Sequence, residues 1–235
     1  MLRAGLQKTS LVDYPGTVAA VVFLPACNFR CPWCHNGSLV EPSEATEDSL
    51  IPIETINGLL QKRRTVLEGV VITGGEPTLR QELPELIRLY KSLGYKVKLD
   101  TNGSKPDVLA ALFTHEATRP DYIALDLKLA PHRYPELGGS EGALIKSIDL
   151  IQTSGIDHEY RTIALPQGHL TEKDIESLAH HIDERSPWFF SPFKPGNCLD
   201  PSWDFFPSPS TEALERLANV ARSLGKTVYV RGLKK

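Results

Sequence analysis

The sequence predicts an α/β protein built on parallel strands, and three observations predict it. Apolar, β-branched runs of strand length alternate with segments whose apolar residues recur at helical spacing. This alternation repeats about six times, and it requires parallel strands joined by crossover helices. Polar or cysteine-bearing residues collect just after the strands, where parallel α/β proteins place their ligands. Such units make an incomplete barrel or an open parallel sheet.

The elements follow in order. Residues 17–26, TVAAVVFLPA, read as a buried strand. Residues 46–64 carry Leu50, Ile53, Ile56, Leu59 and Leu60 at helical spacing. GVVIT (69–73) is a second strand, 79–94 a helix with a Gly stop, and YKVKLDT (95–101) a third strand of alternating character. A short helix over 106–115 leads to a fourth strand, DYIALDLK (121–128). A helix over 141–154 ends at Gly155 and is followed by a fifth strand, HEYRTIAL (158–165). Residues 171–185 form a helix with a Thr cap and an acidic first turn. A weaker sixth strand, 188–193, contains Pro192, and a helix over 210–225 precedes a last strand over 227–232.

No linker and no fixed-period repeat interrupts this order, so the expectation is a single domain over residues 1–235. The one shift in composition is residues 186–210, rich in proline and aromatics. It reads as an ordered irregular loop, either a lid on one end of the core or a surface for another macromolecule.

The chain is 41% hydrophobic and 23% charged, with a formal net charge of -3 and a pI of about 6.2. A chain so near neutrality has no global field to hold a polyanion, so nucleic acid is not expected as a main partner. The C-terminal RGLKK reads as a solvated basic tail. The longest apolar run, 18–27, falls short of the ~20 residues that span a bilayer. The N-terminus lacks the apolar core and cleavage site of a signal peptide. No membrane association and a cytoplasmic location are therefore expected. There, cysteines that cluster signal metal or redox chemistry rather than disulfides.

Three of the four cysteines lie in CNFRCPWCHN, as Cys27, Cys31 and Cys34. Their spacing lets three sulfurs of one loop converge on one centre, and soft thiolates select zinc or an iron–sulfur cluster. Zinc would recruit Cys198 or His35 to close its tetrahedron. An iron–sulfur cluster normally takes four cysteines, so three leave one iron open. Met1 is the only methionine, which excludes a thioether ligand from elsewhere. Cys198 reads as an ordinary free cysteine. The other strand ends carry Thr73-Gly74-Gly75-Glu76-Pro77, Asp100-Thr101-Asn102-Gly103, Asp126-Leu127-Lys128, Tyr160-Arg161-Thr162 and Ser191-Pro192-Phe193-Lys194.

The Cys-x3-Cys-x2-Cys pattern, with Trp33 before its last cysteine, resembles the radical S-adenosylmethionine enzymes, and Gly74-Gly75-Glu76-Pro77 resembles their second motif. LQKTSLVDYPG, CNFRCPWCHN, LEGVVITGGEPTL, VKLDTNG, DYIALDLK and SGIDHEYRT together are similar to the activating proteins of anaerobic ribonucleoside-triphosphate reductase. The pyruvate formate-lyase activating enzymes share several of these stretches. The resemblance implies a partial (β/α)6-type barrel of parallel strands. It also implies a [4Fe–4S] cluster on Cys27, Cys31 and Cys34, with one open iron chelated by S-adenosylmethionine. Gly74, Gly75 and Glu76 would meet the methionyl amino group. Asp100, Thr101, Asp126 and Lys128 would surround the cofactor carboxylate and, in some members, a monovalent cation. Arg161 would reach the cofactor or form an interior ion pair. Trp33 would pack near the adenine or on the cluster loop. His35 would tune the cluster or cap its loop, and Asn102 would form a turn. Ser191, Phe193 and Lys194 depart from the family's QQF-type segment.

The implied reaction is reductive cleavage of S-adenosylmethionine, leaving a glycyl radical on a large protein partner. That partner would be the anaerobic ribonucleotide reductase large subunit, with flavodoxin or ferredoxin as electron donor. The alternatives are a radical enzyme acting on another glycyl radical enzyme or a different substrate, and a non-enzymatic zinc-binding module.

Overall fold

The structure, a computed structural model, describes residues 2–232. Met1 and residues 233–235, the end of the basic RGLKK stretch, lie outside the described residues. The chain forms two compact units. The first takes the chain up to Asn28, Ser38–Thr101 and Asp107–Ile123; the second takes Phe29–Gly37, Asn102–Pro106 and the chain from Ala124 onward.

In the first unit, β1 (Arg3–Ser10) pairs antiparallel with β2 (Ala19–Leu24). Two short helices follow, α1 (Gly37–Val40) and α2 (Glu44–Ser49). β3 (Ile51–Pro52) pairs with the start of β1, and α3 (Ile53–Arg63) leads to β4 (Gly69–Gly74), parallel to β2. α4 (Leu83–Ser92) leads to β5 (Lys96–Thr101), parallel to β4. α4 buries Leu83, Leu86, Ile87 and Tyr90, the face that the 3.6-residue period selects.

The single helix expected over 46–64 is broken. Leu50 is extended, Pro52 caps α3, and a two-residue strand stands between the helices. Proline lacks the N–H an interior helical position needs, and it disfavours helical geometry at the preceding Ile51. β1 has no strand-like apolar run; pairing with buried β2 makes it a strand, so tertiary context overrides propensity. β5 departs from its expected alternation: every residue but Lys96 is buried.

α5 (Pro106–Phe113) leads into β6 (Tyr122–Asp126), whose residues pass from the first unit to the second. The second unit continues through α6 (Glu141–Thr153), β7 (Asp157–Ala164), α7 (Glu172–Ala179), β8 (Trp188–Pro192), α8 (Thr211–Ser223) and β9 (Val228–Val230). β7, β8 and β9 are parallel, in that order. Side chains of Ser140, Thr171 and Ser210 cap the three helices, and Thr171 with Asp174 forms the reciprocal capping box. α7 stops short of residue 185, because the Asp183 carboxylate accepts the N–H groups of Arg185 and Ser186 and turns the chain. Pro192 is the last residue of β8, opposite Ala164. Parallel strands with crossover helices give the predicted α/β class in both units. No helix among the described residues is long and apolar enough to cross a membrane.

Trp188 is fully buried, and its indole Nε1 donates to Thr162 Oγ1 at 2.9 Å. Thr162 Oγ1 in turn donates to Leu127 O at 3.0 Å, and Leu127 N donates to Arg161 O at 2.8 Å. This chain fixes the strand ends that carry Asp126 and Arg161. Trp188→Phe removes the indole donor and some packed volume, and it should cost about 1–3 kcal/mol. The expected result is a thermal midpoint several degrees lower, with unchanged far-ultraviolet circular dichroism.

Candidate functional site

The predicted residues fall in both units. Cys27, Gly74, Gly75, Glu76, Asp100 and Thr101 belong to the first; Cys31, Trp33, Cys34, Asp126, Lys128 and Arg161 belong to the second.

In the first unit the chain leaves β2 through a turn whose backbone is fastened from Leu24 O to Cys27 N. Gly75 N donates to Leu24 O at 2.8 Å and Glu76 N to Ala26 O at 2.8 Å. The Arg80 guanidinium donates to Pro25 O through Nε at 2.9 Å and Nη2 at 2.6 Å. Ala26 N reaches Leu39 O at 2.7 Å, and Cys27 N reaches Val40 O at 3.1 Å. These bonds hold Ala26 at φ 74°, a region that residues with a Cβ rarely enter.

The two glycines are required by this packing. A Cβ on Gly74 would stand 2.2 Å from Leu24 O, and one on Gly75 would stand 2.1 Å from Ala26 O. Their absent side chains therefore admit the backbone of the cysteine turn.

Glu76 is fully buried. Its Oε1 accepts from Thr78 N at 3.1 Å, from Thr78 Oγ1, and from Thr101 Oγ1 at 2.8 Å. Thr101 thus orients the second motif's carboxylate. Asp100 Oδ1 accepts from Lys98 Nζ at 2.7 Å, and the same ammonium donates to Asp13 O at 2.8 Å. Lys98 was missed by sequence reasoning, although residues two apart on a strand share a face. In the second unit, Asn102 Oδ1 accepts from Ser104 N at 2.9 Å, the expected turn-forming role.

Cys34 N donates to Cys31 O at 3.0 Å, so these cysteines flank a tight turn. Trp33, inside that turn, is buried against Trp203 with ring centroids 5.3 Å apart. Two carbonyls of the turn accept from the proline-aromatic segment: Leu199 N donates to Cys34 O at 2.9 Å and Asp200 N to Pro32 O at 3.0 Å. Part of that segment thus packs on the cysteine turn. His35 lies edge-on to Phe193 at 6.1 Å. No disulfide joins any of the four cysteines. Burial pushes the Cys198 thiol up to about 11, and the Asp204 carboxylate acts in the same direction, so it remains protonated at neutral pH.

Trp33, Asp126, Lys128 and Arg161 come together around a cavity of about 230 Å³, which Leu127, Ile163 and Ser191 complete. Asp126 accepts from Arg161 Nε at 2.8 Å and from Lys128 Nζ at 3.4 Å. Burial alone would raise the Asp126 pKa; Arg161 and Lys128 outweigh it and hold the carboxyl at about 2. Burial lowers the Lys128 pKa, but Asp126, then Cys31 and Cys34, more than reverse this and raise it. Arg161 lines the cavity and closes an ion pair with Asp126. Ser191 lines this cavity, whereas Lys194 lines another with Ser208, Ser210 and Thr211. Leu127 and Ile163 were missed because apolar strand-end residues carry no chemical signature. Ile163, two residues after Arg161 on β7, shares its face.

Among the described residues, no three His, Cys, Asp or Glu side chains are gathered as ligands of a single metal ion. The chemistry of the cysteine donors is that of a thiolate-bound cluster, and Lys128 lies within electrostatic reach of Cys31 and Cys34. The cavity, with a carboxylate, two cations and an apolar wall, suits a small molecule that combines charged and aromatic parts.

Residues 21–182 match the Radical SAM superfamily. The chain is 30% identical over 241 residues to MJ1227 of Methanocaldococcus jannaschii, provisionally named a glycyl-radical enzyme activating enzyme; the match covers 98% of this chain and 95% of that protein. The crystal structure of a domain of pyruvate-formate lyase-activating enzyme from Bacteroides vulgatus aligns with a TM-score of 0.53 at 18% identity, over 70% of this chain and 99% of that one. Streptococcus suis SuiB, bound to the precursor peptide SuiA, aligns with a TM-score of 0.61 at 16% identity, over 90% of this chain; this chain spans about half, 48%, of SuiB. Both structures share this chain's fold, and the partial (β/α)-barrel class expected from the sequence agrees with them.

Two predictions follow from the geometry. Gly75→Ala sets a methyl group against Ala26 O and should cut the iron held after anaerobic reconstitution at least severalfold, read by iron assay. Asp126, with its lowered pKa, adds stability that is complete above the ordinary carboxylate value of about 4 and is lost as pH falls towards about 2. The stability gap between wild type and Asp126→Asn in urea unfolding should therefore be constant from about pH 5 upward and shrink below about pH 4.

Proposed function

The chain belongs to the Radical SAM superfamily, and from that premise we propose that it activates a glycyl radical enzyme, with anaerobic ribonucleoside-triphosphate reductase as its protein substrate. The carrying observation is the match to MJ1227, which runs nearly the full length of both chains. The choice of reductase rests on the stretches LQKTSLVDYPG, VKLDTNG, DYIALDLK and SGIDHEYRT, which accompany the cysteine and Gly-Gly-Glu-Pro motifs. Membership of the family implies a [4Fe–4S] cluster and S-adenosylmethionine.

Cys27, Cys31 and Cys34 are the proposed cluster ligands, with one iron left to the cofactor. When bound, cluster and cofactor together supply one-electron chemistry able to remove a hydrogen atom from a glycine Cα. The chain's own residues bind, orient and exclude water. Glu76, with Oε1 locked by three donors, offers a fixed negative charge to the methionyl ammonium, beside the main chain of Gly74 and Gly75. Lys128 and Arg161 serve the carboxylate, and Asp126 fixes both cations while remaining ionised itself. Asp100 and Thr101 are proposed as further polar groups for the cofactor or a monovalent cation. Trp33, Leu127 and Ile163 form an apolar wall that keeps water from the reacting atoms. The chain acts as one core domain over residues 1–235, in the cytoplasm, with a flavodoxin or ferredoxin as reductant. A partner protein brings its own glycine loop, so no dedicated small-molecule subsite is needed.

A second reading changes only the partner: another glycyl radical enzyme, with every residue role kept. One experiment covers both. The anaerobically reconstituted chain should hold about four irons. Reduced and mixed with S-adenosylmethionine and the reductase large subunit, it should produce a glycyl doublet by electron paramagnetic resonance. A doublet on pyruvate formate-lyase alone would assign the other partner. Tight zinc with no reconstituted iron would overturn the reading. Cys27→Ala should abolish both iron and doublet.

A further inference from the structure

The proline-aromatic segment holds a side chain that neither the family match nor the motif analysis places near the chemistry. Asp204 lies in the short turn Pro201–Phe205, which Asp200 caps through Ser202 N at 2.9 Å. The Asp204 carboxylate accepts from Gly196 N at 2.9 Å and from Cys198 N at 3.1 Å. It thereby gathers a turn in which Gly196 and Asn197 both have positive φ, 113° and 66°. Asn197 carries a Cβ in that region, so the turn needs an external tie.

The two residues after this turn are the ones that grip the cysteines. Leu199 N donates to Cys34 O and Asp200 N to Pro32 O. Gly37, just past the last cysteine, meets the same segment: its Cβ position is 3.0 Å from Leu199 Cα. Trp203, the residue before Asp204, packs on Trp33 between Cys31 and Cys34. One carboxylate thus closes a clasp that contacts the second half of the cysteine loop through two main-chain bonds, one close backbone approach and one ring pair.

We propose that Asp204 is a positioning residue for the cluster: by tying the 196–198 turn it holds Leu199 and Asp200 on the Cys31–Cys34 turn and keeps those two thiols set for iron. Cys198 belongs to the clasp as a donor to Asp204 and is not a ligand. The inference rests on the reading of Cys31 and Cys34 as cluster ligands. Groups that orient ligands in this way change metal retention by roughly tenfold to a hundredfold when removed.

The test uses the full chain, reconstituted anaerobically, as wild type, Asp204→Ala, Asp204→Asn and Cys198→Ser. Three quantities are read: irons per chain, the rate at which an iron chelator bleaches the cluster's visible absorbance, and the electron paramagnetic resonance signal of the reduced cluster. Thermal midpoints are recorded alongside. Asp204→Ala should lose iron to chelator roughly tenfold faster than wild type or more, with an altered signal. Asp204→Asn, which keeps an acceptor oxygen, should recover most of the difference, and Cys198→Ser should stay near wild type. If Asp204→Ala does not fold, Asp204→Ser, which lacks the carboxylate, is read in its place by the same measurements, with faster iron loss expected and wild-type behaviour contradicting the proposal. An Asp204→Ala protein with wild-type release and signal overturns the clasp. So does a Cys198→Ser protein that loses iron as fast as Asp204→Ala, since Cys198 would then be a ligand. A wild type that takes up no iron overturns the cluster reading itself, a failure visible before any variant is made.

Discussion

In the first unit the backbone of Gly74 and Gly75 lies directly against the turn from Leu24 to Cys27, with no room for a Cβ between them. The parallel register of β2 and β4 sets it up, because Leu24 stands opposite Gly74 at the end of both strands. No side chain fits there, so the second motif must begin with glycines whatever it later binds. Holding Ala26 at positive φ costs about 1–3 kcal/mol by the usual scale of backbone strain. Main-chain bonds from Gly75, Glu76, Leu39 and Val40, with the Arg80 guanidinium, offset that cost. These bonds set the direction in which Cys27 leaves the strand.

The charges follow a related logic. Lys98–Asp100 and Arg161–Asp126–Lys128 are ion pairs partly or wholly withdrawn from water. Such pairs add little net stability, because desolvation consumes most of the Coulomb attraction. Their value here is fixed charge. Asp126 stays ionised at any physiological pH, so the two cations beside it keep their places. In the first unit, hydrogen bonds from Thr78 and Thr101 set the direction of the Glu76 carboxylate.

Most of the strand–helix order could be read from apolar periodicity, since β2, β4, β6, β7 and β8 have apolar runs that little else explains. What could not be read was decided by tertiary pairing or by a single residue. β1 exists because β2 needs an edge partner, and Pro52 splits a pattern that periodicity joins. The site residues were legible where chemistry shows in residue type, as with the cysteines, Glu76 and the Asp126–Lys128 pair. They were illegible where the role is geometric. Strand period alone hints at Lys98 beside Asp100 and Ile163 beside Arg161, and nothing in the sequence marks Asp204 as the tie for a turn six to eight residues earlier.

The central claim is that three cysteines hold a cluster whose remaining iron takes the cofactor. Electron paramagnetic resonance of the anaerobically reduced chain, recorded with and without S-adenosylmethionine, tests it most directly. The account predicts a [4Fe–4S]+ signal whose g-values shift when the cofactor is added. A spectrum unchanged by the cofactor, or a protein that holds zinc and gives no signal, would contradict it.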